Sequence, residues 1–202
     1  MNNVSMKLSE HFSLAEMCKT SANLDNVPNE AQVENLKRLC GWLEMLRRRY
    51  NDKYVVVKGD SSTSLGMTSP SLSSRPSEAR GEISQMRPRA QAASRKDSSA
   101  SLGMTCGGEE PIRINSGYRS PQLNRAIGGA ANSNHLTGCA CDIRVSGMEQ
   151  ILRYAVILME YADETKQDFD ELLLERSPKG NYWLHFAVRA QGNRRKINFL
   201  KA

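Results

Sequence analysis

Residues 169–188 read FDELLLERSPKGNYWLHFAV and predict the central hairpin of the fold. The runs 169–175 and 182–188 are rich in apolar and aromatic residues, as strands are. Between them, Pro178-Lys179-Gly180 suits a three-residue loop, because proline fixes the backbone of the first turn position and glycine tolerates the left-handed one. We therefore expect two antiparallel strands here.

Amphipathic helices are predicted upstream of this hairpin. Apolar residues recur at helical spacing over residues 28–50 and again over residues 148–162, with charged residues filling the other side of the first stretch. A shorter helix is expected to begin at Ser13, because its hydroxyl and the Glu16 carboxylate have the spacing of a capping box.

Two short apolar runs, residues 54–57 and 112–115, are predicted as further strands. Together these elements predict an α+β fold, with an antiparallel sheet packed against two main helices. The 202 residues are enough for one generous domain.

Residues 59–108 differ in composition from the rest of the chain, being rich in Ser, Arg, Pro and Gly. They contain a near repeat, DSSTSLGMT at residues 60–68 and DSSASLGMT at residues 97–105. Such a segment buries too little apolar surface to offset its ordering entropy, so we predict a disordered inserted loop within a domain formed by residues 1–58 and 109–202. Its basic residues could alternatively contact polyanions.

The overall composition constrains the class of protein. A net charge of +6 favours an anionic partner, and no apolar run is long enough for a membrane span. The N-terminus lacks a signal-peptide pattern, so we expect a chain that is cytoplasmic as synthesised. The five cysteines show no disulfide spacing and are expected to be reduced.

Residues 135–142 read HLTGCACD, in which His135 and Asp142 flank a stretch of small residues. Both side chains are ligand types that zinc accepts, and His185 in the second hairpin strand could supply a third. Three protein ligands with one open position are typical of a catalytic zinc. Each histidine could instead be a core residue, and the Cys139-x-Cys141 pair is interpreted as small buried residues rather than a thiolate site.

Spaced motifs along the chain sharpen this interpretation. They are Phe12-Ser-Leu-x-Glu16, Ser116-Gly-Tyr-Arg119-Ser-Pro, Asn124, Gly128-Gly129, Ser133-x-His135-x-x-Gly138-x-Ala140-x-Asp142 and Trp183-x-His185. The combination resembles the M15 family of zinc peptidases, the D-Ala-D-Ala carboxypeptidases, dipeptidases and phage endolysins that act on peptidoglycan stems, with an M15A C-terminal-like domain. The resemblance covers nearly all of the chain outside the predicted insertion.

The resemblance implies three zinc ligands, which are His135, Asp142 and His185. It also implies that Arg119 steadies the substrate carbonyl or its tetrahedral intermediate, and that Ser133 and Tyr118 lie beside the substrate. The implied reaction is hydrolysis of a peptide bond in peptidoglycan stem peptides, by a D,D-carboxypeptidase or an endopeptidase. Arg119 could instead form a structural salt bridge.

One position departs from the family pattern, because many members carry the catalytic acid or base three residues before the last zinc ligand, where this chain has Tyr182. A phenol is a poor base at neutral pH. The predicted hairpin sets Glu175 opposite Trp183, which puts its carboxylate on the same sheet face as His185. We therefore predict Glu175 as the general base, with Asp170 as the weaker candidate; Glu175 could also be an exposed carboxylate or a partner that holds a ligand.

Partners and location follow from the same resemblance. A catalytic domain without an obvious wall-binding module suits a phage or prophage lysis enzyme that acts on the cell wall after phage-type release. We expect this enzyme to be a monomer. A zinc-binding cell-wall recognition protein without hydrolytic activity is the alternative. A nucleic-acid binder is not favoured, since no interleaved aromatic and basic pattern is present.

Overall fold

The computed structural model describes residues 6–55 and 108–201. Apart from Gly108, the predicted insertion lies outside the described residues, so its disorder and the domain boundaries stay predictions. The elements, in chain order, are α1 Leu14–Met17, α2 Glu30–Tyr54, β1 Arg113–Ser116, α3 Pro121–Ala126, a 3-10 turn Asn134–Thr137, β2 Ala140–Arg144, α4 Met148–Thr165, β3 Glu171–Arg176, β4 Tyr182–Ala187 and β5 Lys196–Lys201. This arrangement confirms the predicted α+β class.

Helix α2 begins where its polar side chains can satisfy the first free N–H groups. Asn29 Oδ1 accepts from the Gln32 N–H at 2.9 Å, and Gln32 Oε1 accepts from the Asn29 N–H at 2.7 Å, which is a complete capping box. At its other end the helix includes Tyr54. The strand predicted for residues 54–57 is therefore wrong at its first residue. Tyr54 packs on Tyr50 and lies under the Arg153 guanidinium, and these contacts favour the helix.

The five strands form one sheet in the order β1-β2-β4-β3-β5. Every neighbouring pair is antiparallel except β3 and β5, which are parallel, so the prediction of a wholly antiparallel sheet is corrected at that edge. Both sides of β4 are already taken by β2 and β3. The chain leaving β4 therefore crosses to the free edge of β3, where it enters in the same direction as that strand.

The two faces of the sheet have different roles. Alternate residues Ile143, Leu172, Leu174, Leu184 and Phe186 are buried in the same core cluster as α2 and α4. Trp42 of α2 packs against Phe186 with a ring-centroid distance of 5.5 Å. Since side chains alternate along strands, Asp142 and His185 point to the opposite face. Among the described helices, none is long and apolar enough to cross a membrane.

Candidate metal centre

His135 is placed by the 3-10 turn that precedes β2. Ser133 caps this turn, its Oγ accepting from the His135 N–H at 3.3 Å, and Gly138 ends it with a left-handed φ of 71°. A Cβ at Gly138 would lie 2.6 Å from the Gln32 carbonyl oxygen of α2. Only glycine allows the chain to turn this closely against the helix, and the turn delivers the imidazole to the sheet.

Asp142 and His185 are placed by strand pairing. They are directly opposed across β2 and β4, and Ser116 of β1 is opposed to Asp142 on the other side. All three predicted ligands are nearly inaccessible to solvent, at 2% exposure for His135 and 8% for each of the other two.

The donor atoms of the three residues converge. His135 Nε2 lies 3.3 Å from His185 Nδ1 and 3.3 Å from Asp142 Oδ1, and the last two atoms are 2.9 Å apart. Ligands around a tetrahedral ion with bonds of about 2.0–2.1 Å stand about 3.3 Å from one another. The separations and the nitrogen and oxygen donors therefore fit a single small divalent cation such as zinc.

The outward nitrogen of each imidazole also has a partner. His135 Nδ1 donates to the Gly117 carbonyl oxygen at 2.6 Å, which leaves Nε2 free as a metal donor. His185 Nε2 faces Glu171 Oε2 at 3.6 Å. A carbonyl or carboxylate behind a ligating imidazole fixes its tautomer and orientation, as in many metal sites.

Glu171 is a functional candidate that the sequence analysis missed. Asn134 Nδ2 donates to its Oε2 at 3.0 Å, while Arg194 and Lys196 approach its Oε1 at 3.0 and 3.2 Å. Glu171 shares the strand parity of Glu175, so the predicted hairpin already put both on the face of His185. The sequence does not show which nitrogen of the His185 imidazole points away from the other predicted ligands. It therefore gave no reason to single out Glu171.

Arg119 contacts the second oxygen of the ligand carboxylate. Its Nη2 donates to Asp142 Oδ2, and its Nε donates to Ser116 Oγ at 2.8 Å. The guanidinium therefore holds Asp142 so that Oδ1 faces the two histidines. Its side chain keeps 15% of its surface exposed beside the ligands.

The pKa values of the site reflect a balance of charges. Burial alone would raise the pKa of Asp142, but His135 and His185 outweigh it and hold that pKa well below its usual range. For His185, burial would lower the pKa, yet hydrogen bonding to Asp142 and Glu171 raises it to about 9. The Glu171 carboxyl, facing that imidazole, has its pKa lowered to about 2. A cation bound at His185 Nδ1 would compete with the proton that these two carboxylates favour on the imidazole.

The predicted hairpin register is confirmed, with Glu175 opposed to Trp183 and Leu173 opposed to His185. Glu175 is half-buried, and burial raises the pKa of its carboxyl. It lies on the face of the ligands, diagonal to His185. Tyr182 alternates to the other face and packs against the core.

Asp170, the weaker candidate for the base, is occupied elsewhere. It is fully buried, with Arg194 donating to both of its oxygens at 2.8 and 2.7 Å and Arg189 lying 3.0 Å from one of them. Asn134 Nδ2 donates to it at 2.8 Å. These contacts give Asp170 a structural role and leave Glu175 as the candidate base.

The remaining predicted site residues differ in accessibility. Ser133 is partly exposed at the start of the turn that carries His135. Tyr118 is only 4% exposed and belongs to the core cluster, a position that favours packing, so its contact with substrate stays a prediction. Cys139 and Cys141 are buried free thiols, as expected.

The fold and the site together describe an α+β protein in which two histidines and one aspartate on one face of the sheet could hold a metal ion. A protein-family model described as Peptidase M15 matches residues 101–166. The match covers less than half of the chain, supports a peptidase, and agrees with the resemblance seen in the motifs of residues 116–142. It includes Arg119, His135 and Asp142 and ends before His185. No curated protein matches the chain.

Proposed function

We propose that the protein hydrolyses a peptide bond in bacterial peptidoglycan stem peptides, as a D,D-carboxypeptidase or an endopeptidase, with zinc held by His135, Asp142 and His185. One observation carries the proposal: the three donor atoms stand 2.9–3.3 Å apart, at the spacing of ligands on one tetrahedral ion. The M15 match supports a peptidase. The peptidoglycan substrate and the identity of the metal as zinc are what we propose beyond that match.

A zinc ion at this site would supply Lewis acidity, polarising the scissile carbonyl and lowering the pKa of water. Glu175 takes a proton from the attacking water and returns it to the leaving nitrogen. Arg119, fixed by Ser116, stabilises negative charge on the carbonyl oxygen. Ser133 contacts the peptide beside the turn of His135.

The place of action is part of the same proposal. The net charge of +6 suits a polyanionic wall. A monomer released through the membrane by a phage-type lysis system would reach that wall.

Mass spectrometry of muropeptides tests the proposal. Incubation of purified peptidoglycan fragments with the zinc-loaded chain should give new masses that identify the cleaved bond, and His135→Ala should give none. A zinc-loaded wild-type chain that leaves all stem peptides intact would contradict hydrolysis.

A second function, zinc-dependent recognition of the cell wall without hydrolysis, is favoured by the place of Tyr182. Its ring packs against the core and lies 5.5 Å from the Arg176 guanidinium, so this position supplies no base at the metal. Stoichiometric zinc and saturable binding to wall fragments without turnover would support this function.

A further inference from the structure

A row of four residues crosses the open face of the sheet next to the metal ligands. Arg113 of β1 is directly opposed to Arg144 of β2, Arg144 is opposed to Trp183 of β4, and Trp183 is opposed to Glu175 of β3. The row therefore carries two guanidinium groups at the β1 edge, a ring in the middle and a carboxylate at the far side. We call Arg113 and Arg144 the arginine pair.

The arginine pair is close to the metal centre. Arg144 follows the ligand Asp142 by two residues on β2, just as Trp183 precedes His185 by two on β4. Residues two apart on a strand share a face and are separated by about 7 Å. An extended peptide advances about 3.3–3.6 Å per residue, so the pair stands about two peptide residues from the ligands.

The arginine pair is unfavourable for folding. Like charges directly opposed on neighbouring strands destabilise a sheet. Both side chains are exposed, and within the described residues neither guanidinium has a carboxylate within the 4.0 Å of an ion pair. Other arginines near the sheet do form such pairs, namely Arg119, Arg189, Arg194 and Arg195. A local cost of this kind is expected where a function requires it.

The pair also lines a cleft. A cavity of about 840 Å³ at this end of the sheet has Arg113, Arg144 and Asn115 on its wall, together with Tyr182 and the α4 residues Gln150 and Tyr154 from the core-facing side. The three candidate metal ligands do not line it. The acidic residue on its wall, Glu110, is already engaged, since its Oε1 accepts from Gln150 Nε2 at 2.7 Å. As far as residues 6–55 and 108–201 are concerned, the wall of the cleft therefore offers two guanidinium groups that pair with no carboxylate, and the cleft has room for a peptide group.

We propose that the arginine pair is an anion subsite that binds a carboxylate of the peptide substrate, about two residues from the bond that is cut. The inference rests on the proposed peptidase function and adds to it the substrate class: a peptide with a free side-chain or terminal carboxylate at that position. Glu175 at the other end of the row repels the same group, so the charges of the row also orient the substrate.

The test compares two stem peptides that differ only in a carboxylate and its carboxamide at that position. Wild type should cleave the carboxylate form with the lower KM. The double variant Arg113→Gln/Arg144→Gln should raise the KM for the carboxylate form about tenfold or more and leave the amide form unchanged, since a charged hydrogen bond contributes about 1.5–3 kcal/mol. Arg113→Lys/Arg144→Lys keeps the charge and should retain part of the preference.

A matched control is Arg38→Gln/Arg48→Gln on α2, which changes the net charge equally at exposed positions away from the sheet face. It should leave both KM values unchanged. The Arg113→Gln/Arg144→Gln protein should unfold at no lower temperature than wild type, because a repulsion is removed. Equal changes in KM for both peptides, or none, would overturn the subsite.

Binding separates this inference from the proposed function. The full chain, treated with a chelator to prevent turnover, is titrated calorimetrically with each peptide. Tighter binding of the carboxylate form that is lost in Arg113→Gln/Arg144→Gln supports the subsite even where the zinc-loaded wild type cleaves neither peptide. Cleavage of both peptides with no dependence on the arginine pair supports the peptidase and rejects the subsite.

Discussion

Asp142 and His185 are directly opposed across β2 and β4, and their Oδ1 and Nδ1 atoms are 2.9 Å apart. Two of the three ligands are thus set by one step of strand register. Because a slip of one residue would turn either side chain into the core, the pairing that forms the sheet also brings these two candidate ligands together.

The proposed ligand role of Asp142 predicts that its substitution lowers the affinity for zinc. Asp142→Asn keeps the size of the side chain but removes its charge, and should weaken zinc binding by more than the roughly 10–100-fold seen for outer partners of metal ligands. Competition with a chromophoric chelator measures the affinity. Asp52→Asn, at an exposed position on α2, is the control, and unchanged zinc affinity in Asp142→Asn would reject the metal centre.

Glu171 predicts a weaker effect on the same measurement. Its carboxylate faces His185 Nε2 at 3.6 Å, so Glu171→Gln removes the charge that orients and polarises the imidazole. We expect zinc affinity to fall about 10–100-fold, the range for such partners. Asp52→Asn, at an exposed position on α2, should bind zinc as wild type does. Equal affinities in the two variants would show that Glu171 has no positioning role.

For Glu175 we expect the opposite result, in which substitution lowers activity and leaves zinc binding unchanged. If it transfers the proton, Glu175→Gln should lower kcat about 10²–10⁴-fold with zinc content unchanged. Single-turnover assays on wall fragments, with zinc quantified in the same sample, check this. Full activity in a zinc-loaded Glu175→Gln protein would remove this residue from the reaction.

Asp170 predicts a pH-dependent contribution to stability. Its buried carboxylate is held by Arg189, Arg194 and Asn134, and although burial raises its pKa, these groups lower it below the ordinary value. A depressed pKa stabilises the fold above the unfolded-state pKa of about 3.9, and this stabilisation is lost as the pH falls toward the folded-state value.

Asp170→Asn should therefore lower the free energy of unfolding by about 1.5–3 kcal/mol at pH 7, the range for a charged hydrogen bond. Denaturant titrations at pH 7 and pH 3 measure the difference from wild type, which should shrink at the lower pH. A difference independent of pH would mean that charge is not the cause.

The sequence predicted those parts of the fold that depend on local patterns. Apolar spacing predicted α2 and α4, and the loop around Gly180, with its left-handed φ of 87°, predicted the register of β3 and β4. Strand β5 was missed because its pairing depends on tertiary structure. Both edges of β4 are occupied by β2 and β3, so β5 pairs with the free edge of β3. Tyr54 was assigned to a strand because its contact with Arg153 is not visible in the local pattern.

The site was predicted to a similar depth. The motifs named the three side chains whose donor atoms the fold brings together, and the hairpin register gave the face of Glu175. The roles of these residues stay predictions. The Asp142 carboxylate was not expected to contact Arg119, and Glu171 was not identified, because both depend on how side chains turn within a face. Strand alternation determines the face on which a side chain lies. Its rotamer on that face depends on packing, which the sequence does not show.

Gln32 joins two parts of the molecule that are far apart in the chain. It accepts from the Asn29 N–H at the start of α2, and its Nε2 donates to the Leu136 carbonyl oxygen at 2.9 Å, one residue beyond His135. Ordering of the imidazole by a cation would thus be felt at the helix start. Amide hydrogen exchange in the first turn of α2 should slow when zinc is added, making that turn a remote reporter of occupancy.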